Sequence, residues 1–143
     1  QLQRLFKTVK GRNSLNKLKL ILLGGSAIPE SLMEHSSKLG LKLMTTYGST
    51  EMASQVATSR PVKTEKGWKA VGTVLPFREV RISPQNQIEL RGKTLFCGYL
   101  SESGLNKPFD NQGWFASGDS GYLIKNNNDK NLQRIDLENK TNS

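Results

Sequence analysis

Five consecutive positions, Tyr47-Gly48-Ser49-Thr50-Glu51, carry a phenol, a glycine, two hydroxyls and a carboxylate among mostly apolar or small neighbours. The combination suits a nucleoside triphosphate. Backbone N–H groups and the Ser49 and Thr50 hydroxyls can bind phosphate oxygens. The Glu51 carboxylate can hold Mg2+, a cation that prefers oxygen ligands and substrate phosphates. The Tyr47 ring can face a base. A purely local reading is also open, in which Ser49 and Thr50 cap a helix starting at Glu51. The two uses are compatible, since both draw on a helix N-terminus.

Two further loops carry similar chemistry. In "GGSAIP", residues 24–29, paired glycines allow a flat or phosphorylated ligand to approach the backbone closely. In "GWFASGDSGYL", residues 113–123, Asp119 stands between Gly118 and Ser120 in a tight turn among strands. It reads either as an aspartate bracing its own turn or as an acceptor for ribose hydroxyls.

The elements around these loops must bring them together. Leu2, Leu5, Phe6 and Val9 form one helix face, which Gly11 and Asn13 break. "LKLILLGG", residues 18–25, reads as a buried strand of a parallel sheet. A helix follows with Pro29 near its start, Leu32, Met33 and Leu39 inside, and Gly40 as its stop. "LKLMTTYG" is the second strand. A right-handed strand–helix–strand crossover then places both glycine-bearing loops at the carboxyl edge of the sheet, where open α/β folds bind ligands.

Beyond about residue 60 the texture changes to short β-like runs: "VGTVL", "REVRIS", "QIELRG", "LFCGYL", "GWFASG" and "GYLIK". The expected fold is α/β: a parallel-sheet piece over residues 1–62, then a small antiparallel, barrel-like subdomain over 63–135. "NNNDKN", residues 126–131, is expected to be a hairpin loop, and residues 136–143 a frayed tail.

Composition excludes several classes. The net charge of +9 comes from scattered lysines and arginines without interleaved aromatics, which describes a solvated surface rather than a nucleic-acid site. No run approaches the roughly 20 apolar residues of a membrane span. The start lacks a signal-peptide core, and the single cysteine, Cys97, excludes an internal disulfide and fits a reducing cytosol. As a nucleophile Cys97 has only His35 to assist it, in a different element. His35 has no second metal-binding residue at helical spacing.

Together the loops resemble the adenylate-forming superfamily of acyl-CoA synthetases, luciferases and peptide-synthetase adenylation domains. "YGSTE" resembles the Y-G-x-T-E core motif, and "GGSAIP" the G-G-A-x-[LI]-P loop. "GWFASGDSGYL" resembles G-W-x-x-T-G-D-x-G-Y with Ser117 in place of threonine, and "IELRGKTLFCGYL" the strand pair before it.

The resemblance implies an ATP site built from Gly25, Ser26, Ala27, Thr46, Tyr47, Gly48, Ser49, Thr50 and Asp119. In it Tyr47 packs on adenine, Gly25, Ser26 and Ala27 line the adenine pocket, and Asp119 binds the ribose. Thr50 contacts phosphate and Glu51 binds magnesium, which makes these two the catalytic candidates. The implied reaction joins a carboxylic acid to the ATP α-phosphate, releasing pyrophosphate; coenzyme A then displaces AMP. "YGSTEMASQVAT" resembles the o-succinylbenzoate–CoA ligase branch of menaquinone synthesis, with medium- or long-chain fatty acid–CoA ligases and a non-catalytic basic module as alternatives.

The family's lysine-bearing phosphate loop does not precede Leu18, and Leu137 follows Asp136 where the hinge arginine belongs, with Arg134 close by. Neither Lys130 nor Lys140 sits in the context of the catalytic lysine. The 143 residues are therefore expected to be a cytoplasmic enzyme's large-domain fragment, inactive alone and self-associating through its exposed cut face.

Overall fold

The computed structural model describes residues 1–26, 28–65, 67–69, 72–125 and 133–137. The amino-terminal apolar stripe forms two helices, α1 (Leu2–Phe6) and α2 (Val9–Leu15), rather than one. The break falls at Thr8, whose backbone is extended and whose Oγ1 accepts the Gly11 N–H at 3.0 Å. Gly11 and Asn13 thus lie inside α2 and break nothing. Gly11 instead permits the corner, because a Cβ there would lie 2.2 Å from the Leu5 carbonyl oxygen. Leu2 and Leu15 pack with Leu43 in a small core flanked by Phe6, Ile21 and Leu32.

β1 (Ile21–Gly24), α3 (Glu30–Lys38) and β2 (Leu43–Ser49) form the expected crossover. β1 and β2 are parallel, with Ile21 opposite Leu43 and Gly24 opposite Thr46. Pro29 precedes the first turn of α3, and Gly40 ends it at φ +66°. The two glycine-bearing segments therefore emerge side by side at one sheet edge.

β2 continues through Ser49, so Tyr47, Gly48 and Ser49 are strand rather than bend. The expected helix from Glu51 is a single 3-10 turn, Thr50–Met52, and Ser49 gives it no side-chain cap. The fully buried Met52 draws the turn into the core. The chain then reverses into β3 (Ser54–Ser59), antiparallel to β2. That reversal uses left-handed backbone at two non-glycine residues, Ala53 (φ 52°) and Ser54 (φ 107°), a conformation that costs about 1–3 kcal/mol per residue and concentrates near functional sites.

The remaining strands are β4 (Val62–Thr64), β5 (Gly67–Lys69), β6 (Gly72–Val74), β7 (Arg78–Ile82), β8 (Gln87–Gly92), β9 (Tyr99–Ser101), β10 (Gly104–Asn106), β11 (Phe115–Lys125) and β12 (Gln133–Leu137). Among the described residues eight strands form one sheet in the order β1-β2-β3-β6-β12-β11-β8-β7. The α/β class is as expected, but among the described residues the antiparallel strands do not close into a barrel. They extend the parallel pair as an open sheet, and β3 pairs with β6 across the point where the sequence texture changes.

β12 lies between β6 and β11 in the sheet interior, so Asp136 and Leu137, placed at the start of a frayed tail, are strand residues. Asp136 is buried and accepts a 2.5 Å hydrogen bond from the Tyr122 hydroxyl. The expected 126–131 loop and residues 138–143 lie outside the described residues. The main core joins Met52, Val56 and Ala57 to Val80, Ile88, Leu90 and Ile135, with Ile88 and Leu90 at alternate positions of β8 as the pleat requires.

Candidate active site

The cleft at the carboxyl edge of β1 and β2 has a volume of about 680 Å³ and is lined by Gly24, Gly25, Thr46, Gly48, Ser49 and Thr50, together with the reversal at Ala53 and Ser54. Its walls hold backbone close because side chains are excluded. A Cβ on Gly24 would lie 2.4 Å from Thr46 Cγ2, and one on Gly48 would lie 1.9 Å from the Ser54 carbonyl oxygen. Gly25 has open space around it but takes φ +85°, which glycine alone adopts freely. The Ser49 Oγ is buried beside the Glu51 carboxyl, which, after the Tyr99 hydroxyl and Glu51's own N–H, it helps to hold below the usual carboxylate range. The Thr46 hydroxyl is already committed, donating to Ala57 O at 3.2 Å and accepting from Thr58 Oγ1 at 3.0 Å.

Tyr47 serves the opposite side of β2. Its ring packs against the main core, and its hydroxyl donates to Asp119 Oδ2 at 3.0 Å, joining residues far apart in sequence. Burial above all pushes the Tyr47 phenol well above its usual range, and the Asp119 charge adds to this. The phenol is therefore a donor held in place rather than a proton source.

Asp119 lies not in a turn between strands but within β11. A register shift between Ala116 and Ser120 and left-handed Gly118 (φ +77°) form a bulge there. Ser117 holds this bulge: its hydroxyl donates to Ile88 O at 2.8 Å and accepts the Asp119 N–H at 3.2 Å. That explains why a hydroxyl residue stands two positions before the aspartate. The Arg81 and Arg91 guanidinium groups each lie over the Trp114 ring, 4.5 Å from its centroid, so the Gly-Trp pair supports the strand rather than lining the cleft.

Glu51 is tied down twice. Its carbonyl accepts the Phe96 N–H at 2.7 Å, and its Oε1 accepts the Tyr99 hydroxyl at 2.7 Å. The Tyr99 bond first, and Glu51's own N–H second, hold its carboxyl below the usual carboxylate range. Among the described residues no cluster of three or more His, Cys, Asp or Glu could hold a metal. A single ionised carboxylate beside an oxygen-lined cleft instead fits Mg2+ carried on a polyphosphate, since Mg2+ keeps waters and phosphates as its other ligands.

The structure thus brings Gly25, Thr46, Gly48, Ser49 and Thr50 to one cleft, pairs Tyr47 with Asp119, and pairs Glu51 with Tyr99. Ser26 is exposed at the end of β1 and Ala27 lies outside the described residues. Tyr99 and Phe96 escaped the sequence reading as site residues, although "CGY" was visible as a strand-pair ending. Cys97 is exposed, and His35 packs on Phe6 at 4.6 Å between ring centroids. No helix among the described residues is long and apolar enough to cross a membrane.

Removing the Tyr47 hydroxyl measures the strength of its link to Asp119. Tyr47→Phe is expected to cost about 1–2 kcal/mol, as for a half-buried hydrogen bond to a charged acceptor. The urea midpoint of the full-length protein checks this, and an unchanged midpoint would show the bond to be energetically idle.

A glycine-walled cleft at the carboxyl edge of a parallel strand pair is where open α/β folds take their ligands. The AMP-binding enzyme family matches residues 1–100, and the chain belongs to it. It is 40% identical over 106 residues to the 2-succinylbenzoate–CoA ligase of Salmonella typhimurium, a match covering 74% of this chain and 22% of the relative. The structure of Escherichia coli MenE with a bound phenylether-linked analogue of OSB-AMS superposes with a TM-score of 0.70 at 30% identity, covering 94% of this chain and 28% of that one. O-succinylbenzoate coenzyme A synthetase from Bacillus subtilis, in complex with ATP and magnesium ion, gives a TM-score of 0.62 at 26% identity over 92% of this chain and 30% of that one. The chain spans about a quarter of the length of the curated relatives it matches.

Proposed function

We propose that this chain is the nucleotide-gripping part of a cytoplasmic ATP-dependent acid–CoA ligase, with o-succinylbenzoate as the acid. The observation that carries the reading is the cleft walled by Gly24, Gly25 and Gly48 and lined by the Ser49 and Thr50 hydroxyl residues, with the ionised Glu51 next in the chain. The likeness to ligases for this acid supports the choice of substrate.

In this mechanism the Gly24–Gly25 and Gly48–Thr50 backbones fit against ATP, and Ser49 and Thr50 donate to phosphate oxygens. Asp119, steadied by Tyr47 and Ser117, accepts from the ribose hydroxyls. Glu51 would hold Mg2+, which would supply charge neutralisation at the phosphates. The acid carboxylate attacks the α-phosphorus and pyrophosphate leaves; the thiol of coenzyme A then takes the acyl group and AMP leaves. No strong protein nucleophile is needed, because positioning and charge neutralisation supply the rate.

The experiment is a coupled AMP-release assay with the full-length gene product. o-Succinylbenzoate should support turnover at least an order of magnitude better than octanoate or palmitate, since a pocket built for polar groups rejects analogues lacking them. The reverse preference would assign the protein to fatty-acid activation.

A further inference from the structure

We propose that Tyr99 is a positioning residue that makes Glu51 a one-oxygen ligand and so biases the site toward a small octahedral cation over Ca2+. The inference rests on the reading of Glu51 as the cation ligand.

The Tyr99 hydroxyl occupies Glu51 Oε1 at 2.7 Å, leaving Oε2 as the oxygen free of it. Mg2+ takes carboxylates singly within a strict octahedron, whereas Ca2+ accepts both oxygens of one carboxylate in a larger, looser shell. A carboxylate with one oxygen already hydrogen-bonded meets the first demand and resists the second. Tyr99 can do this because it is itself held. Its ring packs edge-on against Phe96 at 4.7 Å between centroids, and Phe96 packs in turn against Phe109 at 5.6 Å and Phe115 at 5.4 Å. The Phe96 N–H binds the Glu51 carbonyl at 2.7 Å, so one short segment fixes both ends of Glu51. Glu51 sits on a three-residue turn. Without the phenol the carboxylate keeps its own N–H and Ser49 as partners, but Oε1 becomes available to a cation.

Tyr99→Phe removes the hydroxyl and keeps the ring. The test uses the full-length protein with α,β-methylene-ATP, measuring bound Mn2+ by electron paramagnetic resonance and Ca2+ by its displacement of Mn2+. Tyr99→Phe should weaken Mn2+ binding roughly five- to tenfold, as expected for loss of a charge-assisted hydrogen bond, and Ca2+ less than about twofold, so that the Mn2+ preference narrows. Leu100→Ala, a neighbour on the same hairpin and 86% exposed, should leave the preference unchanged. Unchanged binding in Tyr99→Phe, or a loss of both cations in equal proportion with a lowered melting temperature, would overturn the proposal. The Glu51→Ala variant separates the two layers. If it retains Mn2+ like the unsubstituted protein, the ligand reading itself fails; if it loses Mn2+ while Tyr99→Phe does not, only the role of Tyr99 fails.

Discussion

Glu51→Ala in the full-length protein is expected to lower acid-dependent ATP–pyrophosphate exchange by about 10²–10³-fold, the usual loss when one preorganised charge-stabilising group is removed from an active site. The effect should fall on the rate more than on folding. Glu51 is partly exposed and its carboxylate is held by the Tyr99 hydroxyl, its own N–H and Ser49, whereas the turn that carries it is anchored by the fully buried Met52 next door. Losing an exposed hydrogen-bonded carboxylate costs little stability, so melting should move by only a few degrees. Exchange at the unsubstituted rate would remove Glu51 from the mechanism.

Gly48→Ala should act on the fold and the cleft together. The added Cβ would stand 1.9 Å from Ser54 O, 2.7 Å from Ser54 C and 2.9 Å from Gln55 Cα, all of them backbone atoms that no rotamer change can move. Separating β2 from β3 there would disturb the left-handed reversal at Ala53 and Ser54 and the lining of the cleft. A loss above about 3 kcal/mol is expected, the range reached when overpacking has no room to relax. That corresponds to a fall in melting temperature on the order of 10 °C. Gly25→Ala provides the contrast. Its Cβ meets nothing within 4 Å, so only the left-handed backbone penalty of about 1–2 kcal/mol applies. If Gly48→Ala melts no lower than Gly25→Ala, the close approach of the strands is not a constraint.

The parallel pair was legible because apolar runs ending in glycine, separated by a Pro29-to-Gly40 helix, have few other arrangements. The adjacency of the two glycine-bearing segments followed from that crossover alone. What escaped depends on partners distant in sequence. Nothing local in "YGSTEM" shows that strand pairing with residues 54–59 will cut the expected helix to one turn. Asp136 and Leu137 read as polar tail because the strands flanking them, β6 and β11, pair with them only in the assembled sheet. Gly11 read as a helix breaker because its reason, contact with the Leu5 carbonyl across a corner, is tertiary. In the site the residue types were visible, but the pairing of Tyr47 with Asp119 and of Glu51 with Tyr99 was not, since each spans dozens of residues.

The central claim is that ATP with magnesium is gripped where β1 and β2 end, and hydrogen exchange of the full-length protein tests it most directly. Adding ATP and Mg2+ should slow exchange of amides in residues 24–28 and 47–51, leaving the β7–β8 pair (Arg78–Ile82 with Gln87–Gly92) as it was. Protection absent from both segments, or confined to the far edge of the sheet, would contradict the account.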